Sequence, residues 1–160
     1  MQSDLVATCR ALGLTVATAE SLTAGLVSSM LAEVPGASAV LRGGFVTYAT
    51  DTKHSVLGLD SQLLEHVVSE AVAQQMARSA CRLLGADLGM ATTGVAGPEP
   101  LDGQPAGTVW IAVHDARTGQ GRTRLLSLSG DRGYVRQTSA QAVVALLLEH
   151  LAQLGEEGRE

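Results

Sequence analysis

Apolar and polar positions alternate along the chain in two rhythms, and the changes of rhythm divide it into helices and strands. Residues 3–12 follow the helical period and stop at Gly13. "LTVATA", residues 14–19, reads as a short buried strand. Ser21 then opens a helix with Leu22, Leu26, Val27, Met30 and Leu31 on one face, ended by Pro35-Gly36. "AVLRGGFVTYA", residues 39–49, is the next strand region, and Gly43-Gly44 marks a bulge or bend in it. "TDTKHSVLG", residues 50–58, is a turn leading into a short helical segment. Asp60 caps the helix "SQLLEHV", and Ser69 caps the longer "EAVAQQMARSACRLL", which Gly85 ends.

The second half is richer in strands. "ADLGMATT" (86–93) is followed by a long Gly- and Pro-dense loop, "GVAGPEPLDGQPAG" (94–107). "TVWIAVHDA" (108–116), the turn "RTGQGR" and "TRLLSLS" (123–129) give two further strands, the last with alternating apolar residues. "GDRGYVR" leads into a final helix over about Val135 to Leu154, with Val143, Val144, Leu147, Leu148 and Leu151 in its apolar stripe. The tail "GEEGRE" reads as disordered. Strands mixed with helices of this length predict an α/β fold, a three-layer α/β/α sandwich. The hairpin-like strands within 87–128 make the sheet mixed. At 160 residues the chain is expected to be a single domain, 1–160, with a substantial core.

Composition narrows the classes of function. The longest apolar runs, such as Val143–Leu148, fall far short of the roughly 20 residues a membrane span needs. The N-terminus "MQSDLVATCR" has an early acid and no apolar stretch of signal-peptide type, so a cytoplasmic protein with no membrane association is expected. Net charge is −5, and no cluster of cations offers a nucleic-acid surface. A small anionic ligand needs only a few local donors and stays compatible with that charge. Cys9 and Cys81 form no CxxC and have no paired spacing with histidine. They are expected to be reduced core thiols, with no metal site.

Candidate chemistry gathers in three places. Ser21 follows a strand and starts a helix. It is either an N-cap, replaceable by Asp or Asn, or a nucleophile placed where developing negative charge is favoured. A serine nucleophile needs a base. His54, His66, His114 and His150 belong to no recognisable Ser/His/Asp signature, there is no GxSxG, and His150 is expected on a solvated edge of the last helix. The alternative base is a lysine, and the chain has ten arginines but one lysine, Lys53. An unperturbed lysine is neutral in only about one molecule in 2,500 at pH 7, so the role requires burial or a nearby cation. A surface pair with Asp51 is the other reading. Tyr48 would join Ser21 and Lys53 at one sheet edge if its strand neighbours the strand before Ser21. "TTGVAGP" (92–98) is an anion-site candidate or an ordinary long hairpin loop. Arg132 and Arg136, four apart at a helix start, are a surface pair or a phosphate clamp.

Taken together, "TAESLTAGLVSSMLAEVPGASAVLRGGFVTYATDTK", "VSE", "TTGVAGP", "GTVWIAV" and "GDRGYVR" resemble the CinA C-terminal domain family, over about residues 5–154 and in the family's order. The stand-alone form of that family is a nicotinamide-nucleotide amidohydrolase. The resemblance implies hydrolysis of nicotinamide mononucleotide to nicotinate mononucleotide and ammonia, in pyridine-nucleotide recycling, by a metal-independent Ser/Lys mechanism without a cofactor. It implies Ser21 as nucleophile, Lys53 as general base and Tyr48 as an assisting group. Arg132 would orient the substrate or hold its phosphate, with Arg136 beside it. Thr23, Gly25, Thr93, Gly94 and Gly97 would line the substrate pocket. A homo-oligomer is also expected, since relatives assemble and the final helix and strand edges offer apolar surface.

The chain departs from the family at three points, one of them "EHVVSE" (65–70), which looks one residue shorter than the family's "HGAVSE" segment. It reads "SLTAG" where the family usually has "SCTGG", so Ala24 stands for a glycine and its methyl is expected to crowd a backbone-lined pocket. It also reads "AGPEPLDGQP" where the family often has further glycines, which would reshape the pocket mouth. The nucleotide-processing N-terminal domain of longer relatives is expected to be absent. The alternatives carried forward are a non-catalytic nucleotide-binding or regulatory module of the same fold, and a Ser/Lys hydrolase of another amide.

Overall fold

The computed structural model describes residues 1–158. The chain runs α1 (Gln2–Leu12), β1 (Val16–Glu20), α2 (Leu26–Ala32), β2 (Leu41–Val46), α3 (Thr50–Ser55), α4 (Glu70–Leu84), β3 (Leu88–Gly94), β4 (Thr108–Asp115), β5 (Gln120–Ser127) and α5 (Arg132–Glu157). The sheet order is β2-β1-β3-β4-β5. β1, β2 and β3 are parallel, and β4 and β5 add as antiparallel hairpin strands. The sheet is therefore mixed, with helices on both faces.

Strand alternation decides what each face holds. Val16 on β1, Leu88 and Met90 on β3, and Val109, Ile111 and Val113 on β4 bury one face beneath α1, α2 and α5. The opposite face carries Ala17, Ala19, Ala91 and Ala112, with α4 and Leu57 and Leu59 packed over them. Small residues on that face let α4 approach closely. At Gly89 an added Cβ would lie 2.2 Å from the Ala77 carbonyl oxygen, so α4 rests directly on bare β3 backbone. The cysteines fall on opposite faces: Cys9 sits in the α1 core and Cys81 faces Gly89 from α4. Burial pushes their thiols up to about 11 and about 12, which keeps both protonated.

The irregularity foreseen at Gly43-Gly44 is a register shift: Val16 pairs with Leu41 but Ala17 pairs with Gly43. Two boundaries differ from expectation. Residues 21–25 form a turn and α2 begins only at Leu26. At the other end α5 continues to Glu157, so the first part of the expected disordered tail is helical, and residues 159–160 lie outside the described residues. Among the described residues, no helix is long and apolar enough to cross a membrane.

β1 connects to β2 through α2 on one face, and β2 connects to β3 through α4 on the other. From their carboxyl ends β1 leads to β2 on one side and β3 leads to β4 on the other, and in open α/β sheets such a divergence opens a crevice there. Ser21 and the loop after Gly94 sit at that crevice.

Candidate active site

β1 ends at Glu20, and Ser21 leaves the sheet between β1 and β3. The Ser21 amide donates to the Thr92 carbonyl at 3.2 Å and lies 3.4 Å from the Thr92 hydroxyl. That hydroxyl also bonds the Thr23 hydroxyl at 2.8 Å. The turn is fixed from the other side by α5, where Arg136 donates from Nε to the Leu22 carbonyl at 2.9 Å and from Nη2 to the Thr23 carbonyl at 3.3 Å.

Ser21 does not cap α2. Glu20 does, from the preceding strand: its carboxylate accepts from the Val27 amide at 2.9 Å and from the Ser28 amide and hydroxyl at 3.2 Å each. A carboxylate on orphan amides at a helix N-terminus is favoured by both hydrogen bonding and the dipole. The Ser21 hydroxyl is left to another partner.

That partner is Lys53, carried by α3 after β2. Lys53 is 1% exposed, and its Nζ lies 3.0 Å from Ser21 Oγ and 2.6 Å from the Thr47 carbonyl oxygen. Thr47 is itself tied to β1, donating its amide to the Glu20 carbonyl at 2.9 Å. No acid pairs with the ammonium among the described residues, so the surface pair with Asp51 is not formed. Burial pushes the Lys53 amine down to about 8. About one molecule in ten then carries the neutral amine at pH 7, against about one in 2,500 for a free lysine.

Ser21 opens into a cleft of about 370 Å³ lined by Leu22, Tyr48, the 94–101 segment and Arg132. Arg132 joins two of its walls, donating from Nη1 to the Gly97 carbonyl at 2.6 Å and from Nη2 to the Tyr48 hydroxyl at 2.5 Å. Histidine is absent from the lining.

A family model, the CinA C-terminal domain, matches residues 1–151. The chain belongs to this family. A CinA-like protein of Frankia casuarinae is 45% identical over 142 residues, covering 88% of this chain and 32% of its own length. The chain spans about a third of the curated relatives it matches. Among solved structures, a competence/damage inducible protein from Agrobacterium tumefaciens superposes with TM-score 0.87 at 33% identity, covering 92% of this chain and 94% of that one. A competence damage-inducible protein A from Klebsiella pneumoniae gives 0.88 at 35%, covering 94% and 97%.

The structure distributes the expected site residues of this CinA domain unevenly. Ser21, Tyr48, Gly94, Gly97 and Arg132 share the cleft, and Lys53 lies directly behind Ser21. Tyr48 is 52% exposed, and its hydroxyl meets Arg132 rather than Ser21 or Lys53. Arg136 lies outside the cleft because it is spent on the carbonyls of the Ser21 turn, so the two arginines form no clamp. Thr23 and Thr93 are buried, bonded to Thr92 and to the Val67 carbonyl, and Gly25 starts α2 in a left-handed conformation. None of these three lines the cleft.

The crowding expected from Ala24 is absent: its side chain is exposed and away from the cleft. Its φ of 48° is left-handed, so the departure from glycine costs backbone strain, about 1 kcal/mol, and leaves the site free. His150 is buried, not solvated, with Nε2 3.4 Å from the buried Asp115 carboxylate. His114 pairs across β3 with Gly89, at the opposite end of the strand from Gly94. His54 contacts the Leu59 carbonyl, and His66 lies exposed near Asp102. Thr47 escaped the sequence reading, and Thr92 entered it only as part of the 92–98 loop. Glu20 was visible as an acid next to the serine, but its partners lie seven and eight residues on.

Proposed function

We propose that this CinA domain hydrolyses nicotinamide mononucleotide to nicotinate mononucleotide and ammonia with Ser21 as nucleophile and Lys53 as base. The observation that carries the reading is the 3.0 Å approach of a buried amine, with no carboxylate partner among the described residues, to a serine hydroxyl at the wall of a cleft. Neutral Lys53 takes the Ser21 proton as Oγ bonds to the carboxamide carbon. Leu22, Ala96 and Gly97 line the cleft, and their amides donate to no group among the described residues, which suits them to stabilise the oxyanion. As the C–N bond breaks, Lys53 returns its proton to the departing nitrogen and ammonia leaves. Water then repeats the sequence on the ester: Lys53 takes its proton, the hydroxide adds, and the Ser21 oxygen leaves and is reprotonated. Arg132 has N–H groups beyond the two it uses, and these suit a phosphate within the same cleft.

The test is incubation of the purified chain with nicotinamide mononucleotide, reading both products, beside Ser21→Ala. Equimolar ammonia and nicotinate mononucleotide are expected, with the rate lowered at least about 10³-fold in the variant, which still folds. Undiminished ammonia release from Ser21→Ala would contradict the assignment. Ammonia from other amides but not from this nucleotide would keep the mechanism and overturn the substrate.

A further inference from the structure

A lysine ammonium carries three protons, and a buried one needs three acceptors. Lys53 has two among the described residues, Ser21 Oγ and the Thr47 carbonyl. The third proton is a shortfall that matters only when the amine is charged, because an unpartnered donor on a buried cation is costlier than one on a neutral group.

The complementary shortfall lies on the same residue. Thr47 is 1% exposed, and its hydroxyl is the one buried side-chain polar atom without a hydrogen-bond partner among the described residues. Its carbonyl is held 2.6 Å from Nζ, and within one residue the hydroxyl and carbonyl oxygens lie only about 3–5 Å apart. A buried orphan donor and a buried orphan acceptor therefore sit in one small region. Rotation about χ1 carries the threonine hydroxyl from one staggered position to the next, with the methyl moving to another of the three. The rotation breaks no existing hydrogen bond, since the hydroxyl has none.

We propose that Thr47 is a positioning residue for the proton on Lys53, its hydroxyl turning to accept the third N–H when the amine is charged. The inference rests on the Ser21/Lys53 reading for its catalytic meaning, but not for its test. In the cycle, the proton taken from Ser21 would be held by the Ser21 oxygen, the Thr47 carbonyl and the Thr47 hydroxyl until the departing nitrogen receives it. Atoms balance within these groups.

Lys53 is the chain's only lysine, so side-chain lysine labelling gives one NMR signal and its titration can be followed without substrate. Thr47→Val keeps the shape and the backbone carbonyl and removes the hydroxyl; Thr47→Ser restores it. The expected result is a Lys53 midpoint about half to one pH unit lower in Thr47→Val and near the wild-type position in Thr47→Ser, as the loss of one hydrogen bond to the charged form requires. A purely structural hydroxyl would leave the midpoint in place while changing the melting temperature, and that result overturns the proposal. A lowered midpoint in a protein that releases no ammonia would keep the Thr47 contact and remove the amidohydrolase reading instead.

Discussion

Lys53→Met is expected to abolish ammonia release and, at the same time, to raise the melting temperature. The first effect follows from chemistry. Methionine cannot take the Ser21 proton, and loss of the base in a nucleophile–base pair costs as much as loss of the nucleophile, at least about 10³-fold in kcat. Lys53→Arg should be equally inactive, because arginine stays protonated. The second effect follows from linkage. The amine titrates at about 8 in the fold, against an ordinary value of 10.5. Below pH 8 the folded state must either desolvate a charge or give up a proton, and at neutral pH this opposes folding by about 3 kcal/mol. The opposition fades as pH rises from 8 to 10.5, where the unfolded chain loses its proton as well. Methionine removes it but leaves the Thr47 carbonyl unpartnered. The net gain should be about 1–2 kcal/mol at pH 7, several degrees in Tm, and should turn into a loss of about 1–2 kcal/mol toward pH 10.5, where only the lost hydrogen bond remains. Calorimetry at pH 7 and near pH 10.5 checks it; a variant that melts lower than wild type at pH 7 would count against a charge-opposed burial of Lys53.

Glu20→Ala is expected to lose both stability and activity without touching substrate. Its carboxylate is 1% exposed and satisfies two amides and a hydroxyl at the start of α2. Removing it strands the Val27 and Ser28 amides, while the Ser28 hydroxyl keeps Thr18, at about 1–3 kcal/mol for each group left unsatisfied and about 2 kcal/mol or more together. Its backbone carbonyl also holds Thr47, so disorder at Glu20 reaches the Lys53 side of the pair. A displacement of about 1 Å there should lower kcat on the order of 10²-fold. Denaturant unfolding and steady-state rates read the two losses; an unaltered kcat in a destabilised variant would show that α2 does not position Ser21.

The fold was legible in the sequence where its signals are local. Gly13 and Gly85 ended their helices in left-handed conformations, Asp60 and Ser69 capped theirs, and the strand expected over residues 123–129 appears as β5, which starts three residues earlier and ends at Ser127. The start of α2 was not legible, because its cap comes from a carboxylate on the preceding strand and the five-residue turn between them matches no capping pattern. Arg132 and Arg136 share a helix face, but one turn advances about 6 Å along the axis, enough to carry Arg136 from the cleft to the backbone of residues 22–23. His150 was misplaced for a different reason: its partner, Asp115, is on another element, and helix periodicity says nothing about what a helix packs against. Lys53 stood out by composition alone, and the parallel pairing of β1 with β2 then brings it behind Ser21.

The pH dependence of kcat/KM for ammonia release tests the role of Lys53 most directly, since that parameter reports ionisations of the free enzyme. The neutral amine is the active form, so the rate should rise with pH, follow a single ionisation near 8 and then level off, coinciding with the NMR titration of the lone lysine. A profile flat from pH 6 to 9, or one rising near 6.5 as an imidazole would give, would contradict a lysine base.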